Sequence, residues 1–466
     1  MRKKISLYKR FIKKYCSDSL DNTYLIRIAL LCSTKSQTVS AKIIFDAWTE
    51  FIKTDFYRSE IRFYNHIPFC HQRCSFCCYS SNELKSSGDL KNYVDNLIKH
   101  YRYFSPVFKD IEFSAIYFGG GTPSILTAQQ MEKVFGELNN FFKFEEDRQK
   151  CIEFNPSSSS FEKLKVVKDF GFNKISFGVQ SFDQDVLKVN GRGYQTEQAV
   201  VRAVSEAQER EIETINIDLL SGLYGDNEEK LINSINKALS LGPDSIHIYS
   251  VQPTAKYLEN VCKMSEDEFR EKKKTLLGAV SDKVIEIAQE SGYFIAGLSK
   301  ENPDIRERDL LYLIKRGSNP DKGVIPKKKG ISSVFGVGPY SNSSVYKRMT
   351  YSTDEALGPD PEKSQYIVNF YDEKKDMLFS LYSGLAYSNS ISLSGFKNNF
   401  DVDLFDQFEA PLNDLKKMKA FYIEGDRLRI DTKKIDWVTF FLFFVDESEI
   451  ERAVKSPLPK IDPISH

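Results

Sequence analysis

Six short runs along this chain alternate apolar with polar side chains, and amphipathic or polar stretches separate them. The runs are Arg62–Ile67, Ala115–Phe118, Cys151–Phe154, Lys174–Val179, Ile215–Leu220 and Ser245–Val251. Between them lie Leu90–Phe104, Ala128–Phe142, Ser160–Phe170, Thr196–Arg210 and Asn227–Leu241. Period two predicts strands, and apolar positions three or four apart predict helices. Strand, helix, strand, repeated, predicts parallel strands joined by right-handed crossovers. Six such units predict an α/β fold, a partial (β/α)6 barrel rather than a closed eight-fold one.

The alternation also assigns faces, because successive strand side chains point to opposite sides. Glu153 and Asn155 share a face, as do Ser176, Gly178 and Gln180, and Asn216 with Asp218. The other face is apolar: Ile152 and Phe154; Ile175, Phe177 and Val179; Ile215, Ile217 and Leu219. A strand packed wholly in a core would be apolar on both sides. Polar residues on one face, toward the C-terminal ends, predict a lumen that holds something polar, at the end where α/β barrels keep their active sites.

Beyond Gly292 the pattern weakens. Residues 302–330 are rich in charge, with Pro320, Pro326 and Lys327–Lys329, and read as loop or linker. Glycines return at Gly336 and Gly338. From Gln365 a helix and a Ser/Asn-rich segment precede a helical run at Asp403–Tyr422 and a β-ribbon at Asp426–Asp431. The expected division is a helical N-terminal extension (1–60), the barrel (61–300), and a linker with a small C-terminal α/β domain (301–466). Residues 1–14 carry seven basic side chains without the apolar region and cleavage site of a secretory signal, and read as a solvated helix.

Lysine plus arginine equal aspartate plus glutamate at 65 each, which argues against a dedicated nucleic-acid binder. The longest apolar stretch, Trp437–Val445, is far short of the ~20 residues a membrane helix needs, so burial in the C-terminal domain is expected and no membrane partner. Of eight cysteines, Cys70, Cys74, Cys77 and Cys78 crowd together while Cys16, Cys32, Cys151 and Cys262 are scattered. That is no disulfide framework. Clustered thiols in a long chain suit metal binding in a reducing cytoplasm.

The strongest motif is Cys70-x-x-x-Cys74-x-x-Cys77, directly after the first strand. Three thiolates from one short loop can hold three irons of a 4Fe–4S cluster and leave the fourth open. An open iron can chelate the amino and carboxylate groups of S-adenosylmethionine, and one electron then breaks the sulfonium bond. Structural zinc, with His71 or Cys78 as fourth ligand, is the alternative reading of the spacing alone. The context favours the cluster. Gly119-Gly120-Gly121-Thr122-Pro123 follows the second strand, where binding loops of a barrel belong, and glycines let a ligand approach the backbone.

Tyr64-x-His66-Ile67-Pro68-Phe69-Cys70, the remaining cysteines with Phe76, and the Gly-Gly-Gly-Thr-Pro turn resemble radical S-adenosylmethionine (SAM) enzymes of the oxygen-independent coproporphyrinogen III oxidase (HemN-like) family. The similarity continues through Ile152-Glu153, Gly178–Phe182, Arg192 and Ile217-Asp218-Leu219. It implies a radical SAM barrel, a 4Fe–4S cluster on Cys70, Cys74 and Cys77 as the catalytic and metal-binding set, and two SAM molecules, as in several members. By motif position, Tyr64, Gly120 and Glu153 would contact the cluster-bound molecule. Phe76, Gly121, Thr122, Gln180, Arg192 and Asp218 would line a second site, with Gln252 and Tyr340 as looser matches. His66 reads as a packed histidine, and His247 as structural or substrate-facing. A reducing partner such as flavodoxin or ferredoxin and a small-molecule substrate are implied.

Three reactions divide the family: decarboxylation of coproporphyrinogen, methyl or methylene transfer (including cyclopropanation) to an sp2 carbon, and haem transfer by a chaperone. The chaperones' His-Asn-x-x-Tyr-Trp motif has only Arg308–Leu313 as its nearest counterpart. The decarboxylases' N-terminal arm and their cysteine just beyond Cys78, where this chain has Tyr79, are missing as well. Elimination leaves transfer chemistry as the expected reaction, with the decarboxylase and the haem or tetrapyrrole carrier as alternatives.

Overall fold

Six strands lie side by side in chain order: β1 (Ile61–Ile67), β2 (Ala115–Gly120), β3 (Lys150–Phe154), β4 (Lys174–Gln180), β5 (Thr214–Ser221) and β6 (Ser245–Ser250). Every neighbouring pair is parallel. This computed structural model describes residues 2–15, 36–54, 60–296, 310–321, 332–353 and 357–455. Cys16, Cys32, and the 302–309 and 322–330 portions of the expected linker lie outside the described residues.

The crossover helices begin where the sequence offers caps. Ser86 and Thr127 form capping boxes with Asp89 and Gln130, at the starts of helices Ser87–Phe104 and Ala128–Phe141. Ser160, Thr196 and Asn227 each accept a backbone N–H at the starts of Phe161–Asp169, Glu197–Glu209 and Glu228–Ser240. Such caps fix helix starts and contribute ~1 kcal/mol each. The apolar strand face is sealed beneath these helices: Ile152, Ile175, Phe177, Ile217 and Ile246 have no exposure.

Two departures follow β6. A 25-residue helix, Glu266–Glu290, fills a stretch that offered no strong period, and its charged surface explains why. The expected linker contains β8 (Leu310–Lys315), which pairs antiparallel with β6 and with β7 (Tyr293–Ile295). Its Leu-Leu-Tyr-Leu-Ile run is strand-like, and the charges around it masked that signal. At the opposite edge β9 (Ser333–Val337) adds parallel to β1, which Gly336 and Gly338 only hinted at.

Contact density separates two compact units. The larger, residues 39–346 with 351–367, contains the strands above. The smaller is built from 1–38, 347–350 and 368–462, a division drawn differently from the three parts expected. Within it the leading helix Arg2–Tyr15 is not merely solvated: Leu7, Tyr8 and Phe11 are buried in one apolar cluster with Leu381, Leu412, Phe440 and Phe441. The basic side chains hid this stripe. Gln365–Phe370 is a strand rather than the start of a helix, and the helix runs Glu373–Ser388. The helical run at 403–422 breaks into Leu404–Gln407 and Glu409–Lys417. The ribbon strand Arg427–Ile430 pairs with both Phe421–Glu424 and Ser390–Ser392. The 437–445 stretch starts the helix Trp437–Leu442, with Phe440 and Phe441 fully buried. Among the described residues no helix is long and apolar enough to cross a membrane.

Candidate radical SAM site

The cysteine loop leaves the C-terminal end of β1 and folds against the glycine turn at the end of β2. Register pairs His66 with Gly119 and Ile67 with Gly120. The Gly121 N–H then donates to the Ile67 carbonyl at 2.7 Å, so the two loops leave the sheet together. Cys70, Cys74, Cys77 and Cys78 are all half-buried free thiols. The Thr122 hydroxyl lies 3.4 Å from Cys70 Sγ, and Arg192 Nη1 lies 3.4 Å from Cys74 Sγ. Residues from the connections that follow β1, β2 and β4 therefore meet at the thiols.

These side chains fit an iron–sulfur cluster. Burial pushes the Cys77 thiol up to about 12 and raises Cys70 as well, so neither would ionise unaided near neutrality. A positively charged inorganic centre converts such thiols to thiolates. Among the described residues no three His, Cys, Asp or Glu side chains converge on one point as ligands of a single ion would. Three thiols on one short loop could each take its own iron of a cubane.

The polar strand face forms the lumen wall. Tyr117 is 36% exposed although it sits on a central strand, because it faces this interior space. Its hydroxyl donates to Glu153 Oε1 at 2.6 Å, and its ring stacks on Tyr64 at 6.2 Å. Burial pushes the Glu153 carboxyl up to about 7, the nearby Asp218 charge adds to this, and the Tyr117 and Gly120 donors oppose it. The Tyr64 hydroxyl bonds His66 Nδ1 at 2.9 Å, and His66 Nε2 bonds the Ser80 carbonyl at 3.2 Å. His66 is thus packed and bonded on both nitrogens, and burial lowers it to about 4.

Further round the wall, Asp218 is engaged by its own chain. Ser176 Oγ donates to Oδ2 at 2.6 Å, Asn216 Nδ2 donates to Oδ1 at 2.7 Å, and His247 Nδ1 lies 3.3 Å from Oδ1. Strand pairing places His247 directly beside Asp218. Gln180 closes β4 with a left-handed φ of 71° at a register shift against β5, which turns its side chain back over Gly178.

The looser candidates sit further out. Tyr340 follows β9 and packs edge-on to His66, with ring centres 6.2 Å apart. Gln252 is half-buried next to Val251, a member of the small apolar cluster against which Phe76 packs. Sequence reading missed Tyr117 and Gln195. Tyr117 was findable, since Ala115, Tyr117 and Gly119 share the lumen face by alternation. Gln195, in a loop, offered no periodic signal.

Residues 64–238 match the Radical SAM superfamily, the class of domain that this fold and thiol loop resemble. Among curated relatives, the haem chaperone HemW of Bacillus subtilis is 34% identical over 189 residues, 40% of this chain and 49% of that protein. The oxygen-independent coproporphyrinogen III oxidase of Paracoccus denitrificans is 30% identical over 190 residues, 41% of this chain and 42% of that protein. The matched stretch thus spans less than half of either relative's length. The solved coproporphyrinogen III oxidase (HemN) of Escherichia coli superimposes with a TM-score of 0.67 at 18% identity, over 86% of this chain and 93% of that one, a likeness of fold.

Proposed function

We propose that this chain is a radical SAM enzyme of the HemN/HemW type, cleaving SAM reductively and acting on a tetrapyrrole. The observation that carries the reading is the thiol loop locked onto the glycine turn at the mouth of a polar lumen. A 4Fe–4S cluster held by Cys70, Cys74 and Cys77 would supply the electron that splits the sulfonium bond. Gly120 and Gly121 present backbone at the mouth, and Tyr64, Tyr117 and Glu153 offer hydrogen bonds to a polar ligand beside it. The apolar strand face keeps water out of the wall behind them.

The substrate class comes from the relatives' names, one for haem handling and one for coproporphyrinogen oxidation. Methyl or methylene transfer, reached by elimination, finds no support among the relatives described, and the alternative takes its place. One SAM at the cluster is proposed. Arg192 and Asp218, expected at a second, are held by protein partners. Haem carriage on the same scaffold is the second reading, favoured by the 34% identity to HemW.

Anaerobic reconstitution of the full chain with iron and sulfide should give about four irons per chain and reductant-dependent 5′-deoxyadenosine. Coproporphyrinogen III should then be decarboxylated. Haem binding with a Soret band and no turnover would select the carrier. Zinc in place of iron would overturn both readings.

A further inference from the structure

Arg192 is only 7% exposed, in the turn after the helix Gln184–Val189. That turn is stitched to the cysteine loop. The Ser75 N–H donates to the Asn190 carbonyl at 3.1 Å. Gly191 has a left-handed φ of 74°, and a Cβ there would lie 2.9 Å from Ser75 Oγ, so a side chain would push the loops apart. Asn190 is held from behind: its amide donates to the Val186 and Tyr224 carbonyls at 2.7 and 2.8 Å, and Tyr257 donates to its oxygen at 2.5 Å.

Each of the three guanidinium nitrogens has a partner within the protein. Nε donates to Gln195 Oε1 at 3.1 Å, Nη2 to the Gly178 carbonyl, and Nη1 points at Cys74 Sγ, 3.4 Å away. Gln195 is 1% exposed and is fixed in turn by the Val179 and Ser181 carbonyls at 2.7 and 3.4 Å. A bidentate clamp on a carboxylate needs two adjacent free N–H groups on one edge. Three of the five N–H groups of Arg192 are engaged inside the protein, one of them with Cys74, which anchors the guanidinium toward the cysteine loop.

We infer that Arg192 is a positioning residue for the cluster: its guanidinium donates to the Cys74 thiolate and raises the cluster's reduction potential, with Gln195 locking it in place. This rests on the proposed reading that Cys74 is a cluster ligand. Adding an electron makes the cluster more negative, and a buried cation bonded to a ligating sulfur favours that state. The inference differs from the role implied by resemblance, which put Arg192 at a second SAM.

The test is a redox titration of reconstituted protein followed by electron paramagnetic resonance, without SAM. Arg192→Gln should move the midpoint to a more negative value while iron content is kept. At fixed potential its reduced-to-oxidised ratio should fall roughly tenfold, about 59 mV for one electron. Gln195→Leu, which keeps the charge but frees the guanidinium, should shift the same way by less, and Arg192→Lys should fall between wild type and Arg192→Gln. A contact to a SAM carboxylate alone would leave the SAM-free midpoint unmoved. An unchanged midpoint in iron-loaded Arg192→Gln overturns the inference; should that variant not take up iron, an unchanged midpoint in Gln195→Leu overturns it. If wild type itself holds no cluster, the parent reading fails instead.

Discussion

Gly121 sits so close to the cysteine loop that a methyl group on it would lie 3.0 Å from Cys70 Sγ and 2.7 Å from the Phe69 carbonyl oxygen. The carbonyl is backbone and cannot swing aside, so Gly121→Ala must displace the loop that carries Cys70. Overpacking of this kind costs ~1–3 kcal/mol. Its functional cost is expected to be larger, because a cluster needs its thiols in register. Reconstituted Gly121→Ala should lose most of its bound iron while keeping its secondary structure by circular dichroism. Normal iron uptake would show that the turn only borders the site.

Glu153 makes a pH prediction. Its folded value of about 7 lies above an ordinary value of 4.5, chiefly because it is buried. The folded chain therefore keeps a proton that the unfolded chain releases in this window. The stability from the protonated carboxyl is fully present below about 4.5, is lost as pH rises toward about 7, and changes little above that. Glu153→Gln removes the slope. In cluster-free protein the variant should gain on wild type by roughly 2–3 kcal/mol between about pH 4.5 and pH 8. Urea unfolding at both ends measures it, and a difference independent of pH would contradict the burial of that carboxyl.

The lumen wall was legible because alternation is local physics. Glu153, Ser176, Asn216 and Asp218 could be placed on one face from the strand period, and the structure lines that face with them. Cys70 and Gly121 could be set near each other because adjacent parallel strands bring their C-terminal loops together. Arg192 was harder. Its place at a second SAM followed from likeness, yet its direction is set by Gln195 and by the loop stitch at Gly191 and Ser75, the latter a contact between segments far apart in sequence. The strand Leu310–Lys315 and the buried stripe of Arg2–Tyr15 were hidden by the charge around them, and tertiary packing decided both.

At the N-terminal end of the strands lies a pair that should matter for stability alone. Arg148 Nη2 meets Glu60 Oε2 at 2.6 Å, with 6% and 4% side-chain exposure, and Arg148 Nε donates to the Ser114 carbonyl at 2.9 Å. Arg148→Ala would leave the Glu60 charge buried without this partner, a loss of ~3–5 kcal/mol. Replacing both residues with apolar ones of similar size should recover much of it. Iron uptake should be unaffected, since the thiols lie at the other end of the strands. Equal losses in the single and double variants would show that the pair itself, rather than a buried Glu60 charge deprived of Arg148, carries the stability.

Asp218 separates a network role from a ligand role. Its carboxylate accepts from Ser176 and Asn216 and stands beside His247. A carboxylate offers about four lone-pair positions, and two are taken by Ser176 and Asn216 with His247 alongside, so fewer remain for a ligand. Asp218→Ala strips the donors of their acceptor and should cost ~1–3 kcal/mol, while Asp218→Asn keeps one acceptor oxygen and should cost less. If the network is the residue's main task, the stoichiometry of SAM binding to reconstituted Asp218→Asn should equal that of wild type. If Asp218 instead grips a second SAM, wild type should bind two equivalents and the variant one, with little change in unfolding. Calorimetric titration beside urea unfolding distinguishes the two, because each role moves a readout that the other leaves alone.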